Sequence, residues 1–418
     1  MLALATAGVH FGIRSGAADD IRLALFDPVD RLNSATMIGS ALGVASLGFA
    51  ISIGVGSPML DWFGMGRLLA LSSLCFIAGT LTVIFSPSLA SGGAIYRVVW
   101  LGMVLVGIGW GLVETVINPL ATAIYPDDKT SKMNILHAWW PGGIIIGGVV
   151  GLALAALGVG WQVKLALTLI PAAAFGILAL RLEFPPTERA AAGLPASAMF
   201  KEIFRPFFLV WWGAMFLTAA SELAPGQWVD LALTRTVGMR GIWLLIYVSG
   251  LMFVMRHFAG PLAHKLSPVG LLWVSCLLAA LGLVALGSAN SPTTALLAAT
   301  LWGTGVCYMW PTMLASASER FPRGGSLLIG LMGTAGNLSI SFVLPWLGQI
   351  FDREKIQQAG GEAAFQALKD GPELDRVLAA ASRTSFQSVA ILPAILLVVF
   401  GTIWLWDRSR GGYRPEKL

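Results

Sequence analysis

The sequence predicts an all-α membrane protein of twelve transmembrane helices in two six-helix pseudo-repeats, and three observations carry that prediction. The 418 residues are 56% hydrophobic and only 12% charged, about half the charged share of a soluble domain. Apolar windows of about 20 residues, the length that crosses a bilayer core, recur along the chain. The same proline and glycine punctuation returns at matching places in the two halves, which is how a parallel internal repeat shows itself.

The windows fall at 1–26, 36–60, 67–86, 97–124, 134–158 and 163–181, then at 206–232, 242–264, 269–288, 293–317, 326–350 and 386–406. The first begins almost at Met1, is broken by Arg14 and lacks a cleavage context, so it reads as a membrane helix and not as a signal peptide. A polar, proline-containing connection at 182–205 separates an N-terminal half, 1–181, from a C-terminal half, 206–406, and 407–418 forms a tail.

Short-loop charge sets the orientation. Arg67, Lys129, Lys132, Arg181, Arg189, Lys201, Arg205, Lys265, Arg320, Arg323 and the tail cations fall on one side; the opposite short loops hold only scattered cases such as Arg31, Arg97, Lys164, Arg235 and Arg240. Both termini, the connection 182–205 and the tail are therefore predicted cytoplasmic, and the mixed-charge segment 351–383 outside.

Several function classes drop out. No glycine-rich phosphate loop ends in Lys-Ser/Thr, so an ATP motor is absent. Cys75, Cys276 and Cys307 sit in apolar windows without paired spacing and read as core residues. Histidines and cysteines never cluster at ligand spacing, so neither metal nor cofactor is expected. The net charge of +5 comes from loop cations, and nucleic acid need not be invoked.

Polar residues inside apolar windows are the candidates for function. Glu114 has no basic residue within a turn or two in sequence, and a carboxylate at a helix centre costs roughly 2.5–3.5 kcal/mol to insert. It is a candidate for reversible protonation, against the plainer reading of a buried hydrogen-bonded carboxylate that only specifies the fold. Pro119 opens the same helix, and Asn118 either caps that opening or binds a hydroxyl. The first helix carries Arg14, Asp19, Asp20 and Arg22. Asp19 and Arg22 stand three apart and can pair, and the charges either face a bundle interior or mark a solvated helix end. In the seventh helix, Pro225-Gly226 is predicted to break the helix between Glu222 and Gln227, exposing backbone to a substrate; the alternative is a helix ending near Ala224. Trp139, Trp140, Trp228 and Trp310 are candidates to stack on a sugar ring, although most of the sixteen tryptophans must serve interfacial belts and packing. His137 can donate to a hydroxyl or relay a proton, His10 reads as a satisfied core histidine, and Arg256 beside His257 reads as paired or snorkelling to the cytoplasm.

The repeat is sharpest after the second and eighth helices, where Ser57-Pro-Met-Leu-Asp61-Trp-Phe-Gly64-Met-Gly-Arg67 answers Gly260-Pro-Leu-Ala-His264-Lys265. In the fourth and tenth, Asn118-Pro119 answers Trp310-Pro311, and Tyr125-Pro126 answers Phe321-Pro322. This pattern resembles the major facilitator superfamily over essentially the whole chain. Asp61, Gly64 and Arg67 match its loop motif, with Ser57 in place of the first glycine and Trp62 in place of a basic residue. Within the superfamily, Glu114-Thr115-Val116-Ile117-Asn118-Pro119, followed by Asn134, His137 and Gly142-Gly143, resembles the fucose/proton symporter family. That family has an acidic residue late in its first helix, and the resemblance places Asp20 there. Its fifth helix presents glutamine and asparagine to the sugar where this chain has His137 and Trp140.

The resemblance implies a proton-coupled uptake carrier for a small polyhydroxylated solute, a monosaccharide, working by alternating access as a monomer in the plasma (inner) membrane. Glu114 and Asp20 would couple protons. Asn118, Asn134, His137, Trp140, Glu222, Gln227 and Trp228 would line the pocket, and the two loop motifs would control the conformational change. The rival readings are proton-driven efflux of amphipathic compounds and a membrane sensor or scaffold without transport.

Overall fold

Long apolar runs with few breakers form helices, and in a bilayer each must satisfy its own backbone. The computed structural model describes every residue except 31–33, 240, 370 and 417–418, and, within helices, not the side chains at 19, 34–36, 227–232, 234–235, 241–242 and 344–345. The predicted windows appear as α1 (Leu2–Gly16), α2 (Ser34–Phe63), α3 (Met65–Ile84), α4 (Ala94–Ile124), α5 (Lys129–Ala156) and α6 (Trp161–Ala166 continuing as Leu169–Arg181) in the first half. The second half holds α7 (Pro206–Val237), α8 (Gly241–Arg256 and Ala259–Leu266), α9 (Pro268–Gly287), α10 (Pro292–Val306 and Met309–Arg320), α11 (Gly325–Gln358) and α12 (Pro372–Ser409).

Among the described residues nine helices are long and apolar enough to cross a membrane, or ten if the two pieces of α8, bent by 65°, count as one span. The remaining two of the twelve are short or broken. The regular part of α1 is 15 residues and continues through short helical pieces and a π-turn at Arg22–Phe26. In α10, a break at 307–308 leaves pieces of 15 and 12 residues. The segment 351–383, expected as a long loop, is largely helical. Here α11 runs on to Gln358, a short helix spans Glu362–Ala367, and α12 begins at Pro372, whose fixed φ suits a first turn.

The pseudo-repeat is visible in the packing. In the first half α1 packs on α5, α2 on α4, and α3 on α4 and α6. In the second, α7 packs on α11, α8 on α10, and α9 on α10 and α12. Small residues set the close approaches, as expected where lipid offers no hydrophobic drive between helices. A Cβ on Gly8 would overlap the backbone of α5 at Trp140, and one on Gly143 would overlap α1 at Ala5.

The halves meet mainly along α2–α11 and α5–α8, with the second piece of α10 also against α5. Both repeated loop motifs begin at this seam. Ser326 Oγ donates to the Ser57 carbonyl at 2.7 Å, and the Ser57 side chain fills the space beside Gly330. At the equivalent place, a Cβ on Gly260 would lie 2.7 Å from Ser131 Oγ. Asp61 accepts from Thr187 Oγ1 at 2.7 Å and pairs with Arg189, both in the connection between the halves. Gly64 turns the chain into α3 with a left-handed φ of 81°, which a side chain disfavours. Arg67 and Lys265 are exposed.

Candidate functional site

Proline supplies the geometry of the site. A proline inside a helix has no N–H for the carbonyl four residues earlier, so that carbonyl needs a donor from elsewhere. Pro141 in α5 frees the carbonyl of His137, and Pro311 in α10 frees that of Cys307. One side chain serves both: Arg256, 2% exposed in α8, donates from Nη1 to His137 O at 2.8 Å and from Nε to Cys307 O at 2.6 Å. Its Nη2 donates to Glu222 Oε1 in α7 at 2.9 Å. The break in α10 releases the Trp310 N–H, which donates to Glu222 Oε2 at 3.3 Å. Removing one partner of a buried ion pair is strongly destabilising, and a pair whose remaining donors and acceptors are also satisfied is the arrangement that offsets its desolvation.

Glu114 lies on the other side of His137. Asn118, one turn along α4, donates from Nδ2 to Glu114 Oε2 at 2.8 Å and to the Glu114 carbonyl at 3.0 Å. Its Oδ1 is hydrogen-bonded to His137 Nε2 at 2.8 Å, and that nitrogen is 3.8 Å from Glu114 Oε2. Glu114 is 4% exposed, and among the described residues no lysine or arginine nitrogen comes within salt-bridge distance of it. In this structure the Asn118 side chain joins carboxylate to imidazole. A continuous polar chain runs from Glu114 through Asn118, His137 and Arg256 to Glu222, crossing from one half to the other.

Two further layers flank it. Towards the 125–128 turn, Asn134 Nδ2 donates to Thr312 Oγ1 at 3.1 Å, and beyond it Thr130 Oγ1 donates to Glu319 Oε1 at 3.0 Å, both between α5 and α10. Towards the opposite end, one turn from Glu114 and from His137, the rings of Trp110 and Trp140 stack with centroids 4.4 Å apart and planes 6° from parallel. Trp139 meets Phe253 of α8 edge to face, and Trp310 is buried against α11 at Gly336.

The structure corrects two expectations. Asp20 does not join the cluster: its side chain is 47% exposed and pairs with Lys164 at 2.8 Å, because α1 ends at Gly16 and the following turns carry the acidic residues out to the rim. Arg22 pairs with Asp27 at 2.9 Å; the side chain of Asp19 lies outside those described. Pro225-Gly226 does not break α7, which runs from Pro206 to Val237. The Ser221 carbonyl that Pro225 leaves vacant is taken by Trp302 Nε1 of α10 at 3.2 Å, so the helix continues. The side chains of Gln227 and Trp228 lie outside those described. Arg256, read from sequence as paired or snorkelling, is paired and fully internal. His10 is held by Thr80 Oγ1 at 3.0 Å. A residue that the sequence did not single out also bears on the site, Trp110; in α11 the buried Asn337 amide has no partner on either polar atom among the described residues.

Twelve helices in two interlocked sixes, with an ionisable chain crossing the seam between them, define a membrane transporter. The model of the Major Facilitator Superfamily matches residues 3–344, and the chain belongs to that superfamily. A D-xylose transporter of Levilactobacillus brevis is 26% identical over 141 residues, 34% of this chain and 27% of that protein, so the match spans about a quarter of the relative's length. Among solved structures, the E. coli fucose:proton symporter FucP superposes with a TM-score of 0.68 at 15% identity, covering 96% of this chain and 97% of that one. The proton:xylose symporter XylE gives 0.72 at 15% identity over 96% and 93%. At such identities these likenesses establish the shared fold.

Proposed function

We propose that the protein is a proton-coupled carrier that takes up a small polyhydroxylated solute of monosaccharide size by alternating access. The observation that carries this reading is Glu114: a buried carboxylate with no described lysine or arginine at salt-bridge distance, hydrogen-bonded into a chain that touches both halves. Proton-coupled sugar transport by FucP and XylE, as their names state, supports the same reading, as does the D-xylose relative.

Residues 1–181 and 206–406 rock about the site, with both termini and 182–205 cytoplasmic. From outside, a proton neutralises Glu114 and solute enters beneath the Trp110–Trp140 layer. Neutral Glu114 lets the loaded halves close and reorient, and the empty carrier returns with Glu114 ionised and hydrogen-bonded by Asn118. On the cytoplasmic side the proton leaves and Asn118 again bonds an ionised carboxylate. Asn134, whose Oδ1 has no partner, and Asn337 offer hydrogen-bonding capacity to hydroxyls. Asp20 has no part in this cycle. The test is accumulation of labelled neutral and acidic monosaccharides in proteoliposomes made acidic outside. Concentrative uptake of at least one supports the carrier. Proton-driven movement outward supports the efflux reading, and the absence of gradient-driven flux of any of them refutes both.

A further inference from the structure

Two buried arginines, one in each half, are treated very differently. Arg256 has three acceptors. Arg14, near the far end of α1 and 6% exposed, reaches among the described residues only Met103 Sδ at 3.9 Å and the Phe11 ring at 5.7 Å, and its Nε has no partner among them. Among the described residues no carboxylate lies within salt-bridge distance of it. Arg14 lines a small cleft with Trp110 and Trp140, next to the stacked indoles, and the buried Trp110 Nε1 also lacks a partner. His10 shares the cleft but is committed to Thr80. A guanidinium and an indole N–H are donors only; two unanswered donors in one cleft call for a ligand that is purely an acceptor.

We propose that the transported solute is a sugar acid whose carboxylate is bound by Arg14, with its ring against Trp110 and Trp140 and its hydroxyls towards Glu114. The proposal rests on the carrier reading and narrows its substrate class. Charge balance favours it. In the empty carrier the charges of Arg14 and ionised Glu114 sum to zero within this half without the two groups pairing; in the loaded carrier Glu114 is protonated and the solute carboxylate offsets Arg14. Both states that must reorient are then neutral in this half. A neutral sugar would leave the loaded carrier with an uncompensated buried guanidinium, which low dielectric penalises. A carboxylate also matches one guanidinium in charge and in fork geometry, whereas a phosphate dianion would be only half compensated.

The test uses the full chain in proteoliposomes with an inward proton gradient, offered labelled D-glucuronate, D-glucose or glucose 6-phosphate. D-Glucuronate should accumulate, be preferred over D-glucose at least about tenfold, and enter at a rate indifferent to an imposed membrane potential, one proton accompanying one carboxylate. Arg14→Gln should abolish that preference, and Arg14→Lys, which keeps charge but loses the fork, should retain part of it. The wild-type comparison stands even where a variant fails to fold. Accumulation of D-glucose without transport or competition by D-glucuronate overturns the inference and leaves the carrier reading intact. Preference for the phosphate, or equal weakening of all solutes by Arg14→Gln, overturns it as well. Movement of none of the three refutes the inference together with the carrier reading.

Discussion

Arg256 of α8 donates to the main-chain carbonyl of His137 in α5 at 2.8 Å, a bond between the two halves to a carbonyl that Pro141 has left without its helical donor. The same guanidinium serves the Cys307 carbonyl and the Glu222 carboxylate. The link therefore depends on two prolines and one acidic residue in three separate helices.

Arg256→Met should cost about 3–5 kcal/mol, because it leaves Glu222 charged and buried and strands two carbonyls. Glu222→Met alone should cost a similar amount by leaving the guanidinium without its carboxylate. The double variant should recover part of the loss, since no lone charge remains, although the two carbonyls stay vacant. Unfolding of the purified variants, read as a double-mutant cycle, measures the coupling; additive losses would show that the pair is not the unit described here.

Trp302→Phe should cost about 1–3 kcal/mol by leaving the Ser221 carbonyl unsatisfied in a buried place. In a Pro225→Ala background the alanine N–H can take that carbonyl itself, so the same Trp302→Phe change should cost much less. An undiminished loss in the alanine background would mean that packing of the indole, and not its N–H, is what matters.

A second fastening lies at the 125–128 end. Glu319 accepts from Thr130 of α5 at 3.0 Å and from Tyr413 of the C-terminal tail at 2.5 Å, while Arg205 grips Glu416 of that tail at 2.7 Å. Tyr413→Phe should loosen the closed seam and speed thiol labelling of Ser131→Cys several-fold from the tail side. Burial, and then the charge of Glu319, hold the Tyr413 phenol well above its usual 10. The sign follows: the undocked tail ionises near the ordinary phenol value while the docked tail keeps its proton, so docking is unaffected below about pH 10 and weakens as pH rises beyond it. Unchanged tail proteolysis between pH 8 and pH 11 would contradict that.

What the sequence revealed and concealed follows from where each cause lies. Glu114, Asn118 and Pro119 are neighbours on one helix, and a carboxylate in an apolar run is visible as an anomaly in one dimension. The role of Arg256 is hidden in the sequence because its acceptors are freed by Pro141 and Pro311, each more than fifty residues away, and only the folded bundle brings them together. A usable signal existed in the charges: of the few ionisable groups deep in apolar windows, Arg256 needs a carboxylate, and Glu222 is at comparable depth. The place of Asp20 is not legible in the sequence, which does not show that the regular part of α1 ends at Gly16 and that the following turns bring Asp20 to Lys164. Pro225 looks like a break in one dimension because the compensating Trp302 belongs to another helix.

The most direct test of the account is Glu114→Gln, which fixes the site in a neutral form that keeps much of its shape and its bond to Asn118. In the same proteoliposomes, counterflow of a labelled solute and its uptake driven by an imposed pH gradient should separate. Counterflow should persist near the wild-type rate, because the loaded carrier can still reorient, while accumulation should vanish, because no group remains to release the proton inside. Wild-type accumulation by the glutamine variant would contradict the account and leave Glu114 a structural residue.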